Sequence, residues 1–165
     1  MITTRRLIAS IFAAALGATA QAATEGPVPS CPATALGQSH TLDPAQLKGK
    51  VGYIDFWASW CGPCAQSFPF MNELHREFQA QGLEIIALNL DEEAQDAQDF
   101  LKKYPASFPI ASDPQGKCPQ KFDVKAMPTS FLVDRQGKIR HVHMGFRDGD
   151  KAAIKQQVQA LLNER

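Results

Sequence analysis

The chain has 165 residues, with 17 lysines and arginines against 17 aspartates and glutamates, and is 44% hydrophobic with ten phenylalanines. That length accommodates one ordinary domain, the balanced charge argues against nucleic-acid binding, and the hydrophobic and aromatic content excludes a disordered polymer. Four cysteines are the one compositional feature that asks for an explanation.

Arg5 and Arg6 precede an apolar run from Leu7 to Ala15, and small residues follow, ending in Ala20-Gln21-Ala22. A basic start, an apolar run too short to cross a bilayer and an A-x-A exit read as a secretory signal peptide over residues 1–22. Cleavage there leaves the 143 residues of 23–165, and because both removed charges are arginines the balance becomes 15 basic against 17 acidic. The expected mature protein is a soluble, weakly acidic monomer of one domain in the bacterial periplasm. That compartment is oxidising, so each thiol in it needs a purpose.

Residues 23–36 carry Gly26, Pro27, Pro29 and Pro32 and read as an extended lead-in. Val51 to Trp57 is a β-rich run expected as a buried strand. From Cys61 the period changes: Phe68, Met71, Leu74 and Phe78 recur at helical spacing, ending near Gly82, with Pro69 expected to kink the helix. Leu83 to Leu90 reads as a second buried strand. Ala94, Ala97, Leu101 and Tyr104 mark a second helix, with Asp91 as its candidate N-cap. A turn at Asp113 to Gly116 leads into a short helical piece around Gln120 to Asp123. Thr129–Val133 and Lys138–Met144 form a hairpin across Asp134-Arg135-Gln136-Gly137. Asp148 opens a last helix whose apolar face is Ile154, Val158, Leu161 and Leu162. Strand, helix, strand, helix, hairpin and helix together specify an α/β fold, a central mixed sheet with helices on both faces.

Trp60-Cys61-Gly62-Pro63-Cys64 sits where the first strand gives way to the first helix. Two cysteines at i and i+3 on a helix's first turn can close a disulfide. The free N–H groups and the positive end of the dipole favour an anion there, so the Cys61 thiolate is expected below the ordinary thiol pKa of about 8.5. Such a thiolate attacks a disulfide, and Cys64 resolves the resulting mixed disulfide. A structural zinc site needs a further Cys/His pair at close spacing, which Cys118 and the scattered histidines do not provide. A c-type haem site needs a histidine after Cys64, where Ala65 stands. No metal and no cofactor are expected.

The run Ile54-Asp55-Phe56-Trp57-Ala58-Ser59-Trp60-Cys61-Gly62-Pro63-Cys64 resembles the active-site strand and turn of thioredoxins, and Met127-Pro128-Thr129 resembles that superfamily's cis-proline signature. From about Leu36 to Leu162 the chain is similar to the TlpA/ResA-like exported thioredoxins, including the lead-in Leu47-Lys48-Gly49-Lys50, Pro69 and the Asp113–Gly116 turn. The resemblance implies a thioredoxin fold, Cys61 as attacking thiol and Cys64 as resolving thiol. It implies a cis Pro128 that presents the Met127 backbone to substrate, with Trp60, Gly62 and Pro63 beside it. Asp55, an acid in a strand core, is expected to have its pKa raised by desolvation, and the resemblance assigns it to deprotonating Cys64. Protein disulfides are the implied substrates and a membrane protein carrying thiol reducing power the implied electron donor. The service rendered would be cytochrome c maturation or upkeep of exported thiols. Ser67 departs from the pattern, standing where relatives often carry a glutamate.

Four cysteines allow three pairings. With Cys61 and Cys64 as the redox pair, Cys31 and Cys118 are expected as a structural disulfide that pins the lead-in to the body. His141 and His143 share a strand face and read as a solvent-facing pair. A copper-binding or metallochaperone protein using Cys61, Cys64 and His143 is the alternative from another class, and a thiol oxidase is the alternative direction of electron flow. Peroxide reduction suits the fold but asks for a different cysteine motif.

Overall fold

A computed structural model describes residues 26–164; the signal-peptide reading of residues 1–22 lies outside them. The strands are β1 (Ala33–Ala35), β2 (Thr41–Leu42), β3 (Val51–Trp57), β4 (Leu83–Asn89), β5 (Ile110–Ser112), β6 (Thr129–Val133) and β7 (Ile139–Met144). The helices are α1 (Gly62–Phe78), α2 (Ala94–Lys103), α3 (Lys117–Lys121) and α4 (Lys151–Asn163). One seven-stranded sheet runs in the order β2-β1-β5-β4-β3-β6-β7. β3, β4 and β5 are parallel neighbours joined through α1 and α2, while β6 returns antiparallel to β3 and β7 antiparallel to β6.

β3 is buried at all seven positions because it lies in the interior of the sheet with both faces covered. Its alternate residues divide the molecule into two cores. Val51, Tyr53 and Trp57 face α1, α2 and α4, in a core that includes Phe68, Met71, Phe100, Val158 and Leu161. Ile54 and Phe56 face the other way, toward Val28, Cys31, Cys118 and Phe122 of the lead-in and α3. Gly52 sits where a Cβ would come 3.0 Å from Leu47 Cδ1 and 3.3 Å from Val133 Cβ, tight contacts that a larger residue could make only if these neighbours gave way.

Two local expectations are corrected. Part of the extended lead-in is a sheet member: β1 pairs antiparallel with β5, and Pro27 bridges to Lys138. The N-cap position of α2 is Glu93, whose side chain makes no capping bond, and not Asp91, which is buried and bonded elsewhere. The last helix does begin at Asp148, through a 3-10 turn over Asp148–Asp150 in which Asp150 accepts the Arg147 N–H at 2.8 Å. β1 and β5 were invisible to periodicity because three residues cannot display a period of two convincingly.

Candidate active site

α1 starts at the C-terminal end of β3, and Cys61 is its N-cap residue, with extended backbone and its sulfur accepting the Cys64 N–H at 3.3 Å. Pro63 lies in the first turn, where its missing N–H breaks no helical bond. Cys61 and Cys64 form a disulfide with Cα atoms 5.3 Å apart. Cys64 is fully buried and Cys61 is 6% exposed, whereas the neighbouring Trp60 is 73% exposed. The Ser67 hydroxyl turns back to the Cys64 carbonyl at 3.0 Å.

The approach to this helix is held by a residue that periodicity had placed in another task. The Asp91 carboxylate accepts the Ser59 N–H at 2.9 and 3.1 Å, the Ser59 hydroxyl at 2.9 Å and the Asn89 side-chain amide at 2.7 Å. Leu90 N–H also donates to the Trp57 carbonyl at 2.9 Å. The end of β4 thus ties down the loop that leads from β3 to Cys61. An acidic residue just beyond a buried strand, with Asn89 two before it, was the available signal.

Asp55 shares the α1-facing side of β3 with Tyr53 and Trp57. It is completely buried, and burial pushes its carboxyl up to about 7, against the opposing effect of a hydrogen bond from Ser130. Ser130 Oγ donates to Asp55 Oδ1 at 2.6 Å and receives the Tyr53 hydroxyl at 2.9 Å. Asp55 Oδ2 and Trp57 Nε1 are buried with no protein partner. Trp57, Phe68 and Phe100 pack with ring centroids 4.7 to 5.0 Å apart, a rigid apolar block on the face that carries the cysteines.

The Met127–Pro128 peptide bond is cis. Phe56 is in register with Thr129, so Pro128 lies at the end of β3 from which the cysteine loop emerges. Thr129 Oγ1 donates to the Ala126 carbonyl at 2.7 Å, and Gly145 N–H to the Pro128 carbonyl at 2.7 Å, holding both sides of this turn. Met127 packs against the core that includes Cys61 and Cys64. Trp60, Cys61 and Gly62 line a hollow of about 420 Å³ with Asp99 and Lys103 of α2 and Tyr104 just beyond it.

Cys31 and Cys118 are bonded on the opposite face of the sheet, with Cα atoms 5.5 Å apart and 87 residues of separation. Each has a carboxylate on its own backbone N–H: Asp43 accepts from Cys31 at 2.9 Å and Asp113 from Cys118 at 2.6 Å. Burial works against the Asp43 carboxylate, but the Cys31 N–H, the Ser30 hydroxyl and the Ala45 N–H together hold it below its ordinary range. Among the described residues, one cluster of three candidate metal ligands has its ligand atoms within 4.8 Å of one another. It is Cys31, Asp113 and Cys118, and its two sulfurs are already bonded to each other.

His141 and His143 are half-buried on β7, not solvent-facing as their spacing suggested. His143 Nε2 lies 2.7 Å from Gln157 Oε1 of α4. Burial, then His143 and Arg140, lower the His141 pKa. Neither histidine belongs to a metal-ligand cluster among the described residues. No helix among the described residues is long and apolar enough to cross a membrane.

A family model described as Redoxin matches residues 15–158. The thiol-disulfide oxidoreductase ResA of Bacillus cereus is 43% identical over 93 residues, 56% of this chain and 54% of that protein. ResA of Geobacillus thermodenitrificans is 34% identical over 125 residues, 76% of this chain and 70% of that one. The chain therefore spans about half the length of the first of these relatives. A crystal structure from Chlorobium tepidum, described as a thiol:disulfide interchange protein DsbE, superposes with a TM-score of 0.81 at 44% identity, covering 85% of this chain and 98% of that one. The mixed sheet with its covering helices is thus the thioredoxin fold, as the active-site strand had implied.

Proposed function

The chain belongs to the redoxin family, and from that premise we propose that it is a thiol–disulfide oxidoreductase acting on disulfides of exported proteins through Cys61 and Cys64. The observation that carries the reading is a disulfide on the first turn of a helix, with the Cys61 sulfur in the capping position. The first turn's N–H groups and the dipole stabilise negative charge there, which favours the thiolate of reduced Cys61.

In the reductive direction the Cys61 thiolate attacks one sulfur of the substrate disulfide. A Cys61–substrate bond forms, the substrate's own S–S bond breaks, and the first substrate sulfur leaves as thiolate. The Cys64 thiol gives its proton to Asp55, and its thiolate attacks the Cys61 sulfur and expels the second substrate thiolate. Two electrons have passed to substrate, and Cys61–Cys64 is left oxidised. With a pKa near 7, Asp55 is partly ionised at neutral pH and can both take and return that proton. Met127, ahead of the cis bond, offers backbone for an extended substrate segment, and exposed Trp60 covers its flank.

The Gly62-Pro63 pair supports a reducing protein. Re-reduction then comes from a membrane protein that delivers thiol electrons across the inner membrane. The leader-like residues 1–22 support a periplasmic location, and the named activities of the ResA and DsbE relatives support thiol–disulfide exchange as the reaction; upkeep of exported thiols or cytochrome c maturation is the service that the resemblance to TlpA/ResA-like proteins implies. Cys31–Cys118 is the structural pair, fastening the lead-in to α3.

Trapping tests the assignment. A Cys64→Ala variant exposed to periplasmic extract should accumulate mixed disulfides on Cys61, identified by mass spectrometry; failure to trap any protein would overturn it. The direction of flow is read by the reduction potential, expected nearer thioredoxin's value of about −270 mV than DsbA's of about −120 mV.

A further inference from the structure

We propose that Tyr53 and Ser130 are positioning residues, a one-way hydrogen-bond relay that occupies Oδ1 of Asp55 and leaves Oδ2 as the atom that takes the proton. The inference rests on the reading of Asp55 as proton acceptor and adds to it the residues that aim the carboxyl.

The relay is built by sheet register. Ser130 on β6 lies directly opposite Asp55 on β3, and Tyr53, two residues earlier on the same face, is its diagonal neighbour, within reach of a long aromatic side chain. Tyr53 and Asp55 are fully buried and Ser130 is 4% exposed, so water does not compete freely for these groups. Direction follows from counting protons. A tyrosine hydroxyl carries one, and the acceptor found for it is Ser130 Oγ at 2.9 Å. With that lone pair occupied, the serine proton points along the 2.6 Å contact to Asp55 Oδ1. The reverse order, with Asp55 donating to Ser130 and Ser130 to Tyr53, would leave the tyrosine proton unpaired in an apolar core. Oδ1 is therefore an acceptor in both charge states, and the exchangeable proton belongs to Oδ2, the oxygen with no protein partner.

The relay also supports the charged form. The Ser130 bond lowers the Asp55 pKa against the larger effect of burial, and Asp55 in turn adds to the burial that raises Tyr53, so the tyrosine stays a donor across the working range. Titratable groups on the packed elements leave Asp55 little else to answer to. Tyr53 shares its strand face, Cys61 and Cys64 share its core from α1, and His143 of β7 is in register with Ser130. Of the other charged groups, Lys155 of α4 pairs with Glu73 and Glu77 of α1, and Lys151 pairs with Asp148, all at the surface. His75 and Arg76 lie near the far end of α1, and Glu84 is opposite Gly52 at the start of β3.

The test uses full-length mature protein as wild type, Ser130→Ala, Ser130→Thr, Tyr53→Phe and Asp55→Asn, with two readouts. The first is the Asp55 carboxyl titration by carbon-13 NMR in the oxidised protein. The second is the pH profile of the resolution step, followed in stopped flow as the second thionitrobenzoate released when reduced protein meets Ellman's disulfide. Ser130→Ala should raise the carboxyl midpoint and the profile's limb together by about one pH unit, a tenfold slower resolution below the midpoint. Tyr53→Phe should move both in the same direction by less, and Ser130→Thr, which keeps the hydroxyl, should restore the wild-type midpoint. A Ser130→Ala protein with an unmoved midpoint overturns the relay. A limb that persists in Asp55→Asn overturns instead the reading of Asp55 as acceptor, while the NMR midpoint still decides the relay.

Discussion

Replacing Asp55 by Asn should change how stability depends on pH more than it changes stability at any one pH. The folded carboxyl titrates at about 7 and the ordinary carboxyl at 3.8. Between those values the folded state holds a proton that the unfolded chain has released. The Asp55 contribution to folded stability is therefore greatest below about pH 4, falls as pH rises to about 7 and levels off above, because unfolding then gains a hydrated carboxylate. A shift of about 3 units at about 1.4 kcal/mol each gives a loss of about 4 kcal/mol across that window. Asn keeps the shape and the Oδ1 acceptor for Ser130 but does not ionise. Its amide, unpaired where Oδ2 stood, imposes an offset that is the same at every pH and cancels. Guanidinium unfolding of the disulfide-intact proteins at pH 4.5, 6, 7 and 8.5 measures the effect. The variant should gain on wild type by about 3 kcal/mol from the lowest of these pH values to the highest, a relative midpoint shift of about 1 M. Parallel stability–pH curves would refute a raised Asp55, and with it the argument that burial outweighs the Ser130 bond.

Removing the second disulfide as the Cys31→Ala, Cys118→Ala pair should destabilise by about 4 kcal/mol, since an 87-residue loop is released, with thiol–disulfide exchange at Cys61 retained; thermal unfolding and a reductase assay check the two halves. Graded reduction by dithiothreitol should open Cys61–Cys64 first, because Cys61 at 6% exposure is the most accessible of the four cysteines, against 2% for Cys31 and 1% for Cys118; alkylation and peptide mapping identify which pair stays closed. Asp91→Ala leaves the Ser59 N–H and the Asn89 amide without their acceptor and should cost about 2–4 kcal/mol, with faster amide exchange confined to the loop before Cys61; Asp91→Asn should be milder.

Much of the fold was legible because its elements carry their own periods. β3 and β4 are continuous apolar runs, and α1 and α4 repeat their buried residues at helical spacing. The cysteine pair was legible for the same local reason, since four consecutive positions on a helix's first turn bring two sulfurs together. What the residues could not announce is contact between distant segments. Asp91 looked like a helix cap in its own neighbourhood, yet its partner is Ser59, 32 residues back, brought close by the parallel β3–β4 pair. Ser130 and Tyr53 are ordinary strand residues by any local measure, and only antiparallel register 77 positions apart turns them into neighbours aimed at one carboxyl. Of three ways to pair four cysteines, two sheet faces select one, placing Cys31 with Cys118 on the face away from Cys61 and Cys64. Local pattern determined the elements and the reacting sulfurs. Register and burial, which exist only once strands lie side by side, decided which groups surround them and where a proton can go.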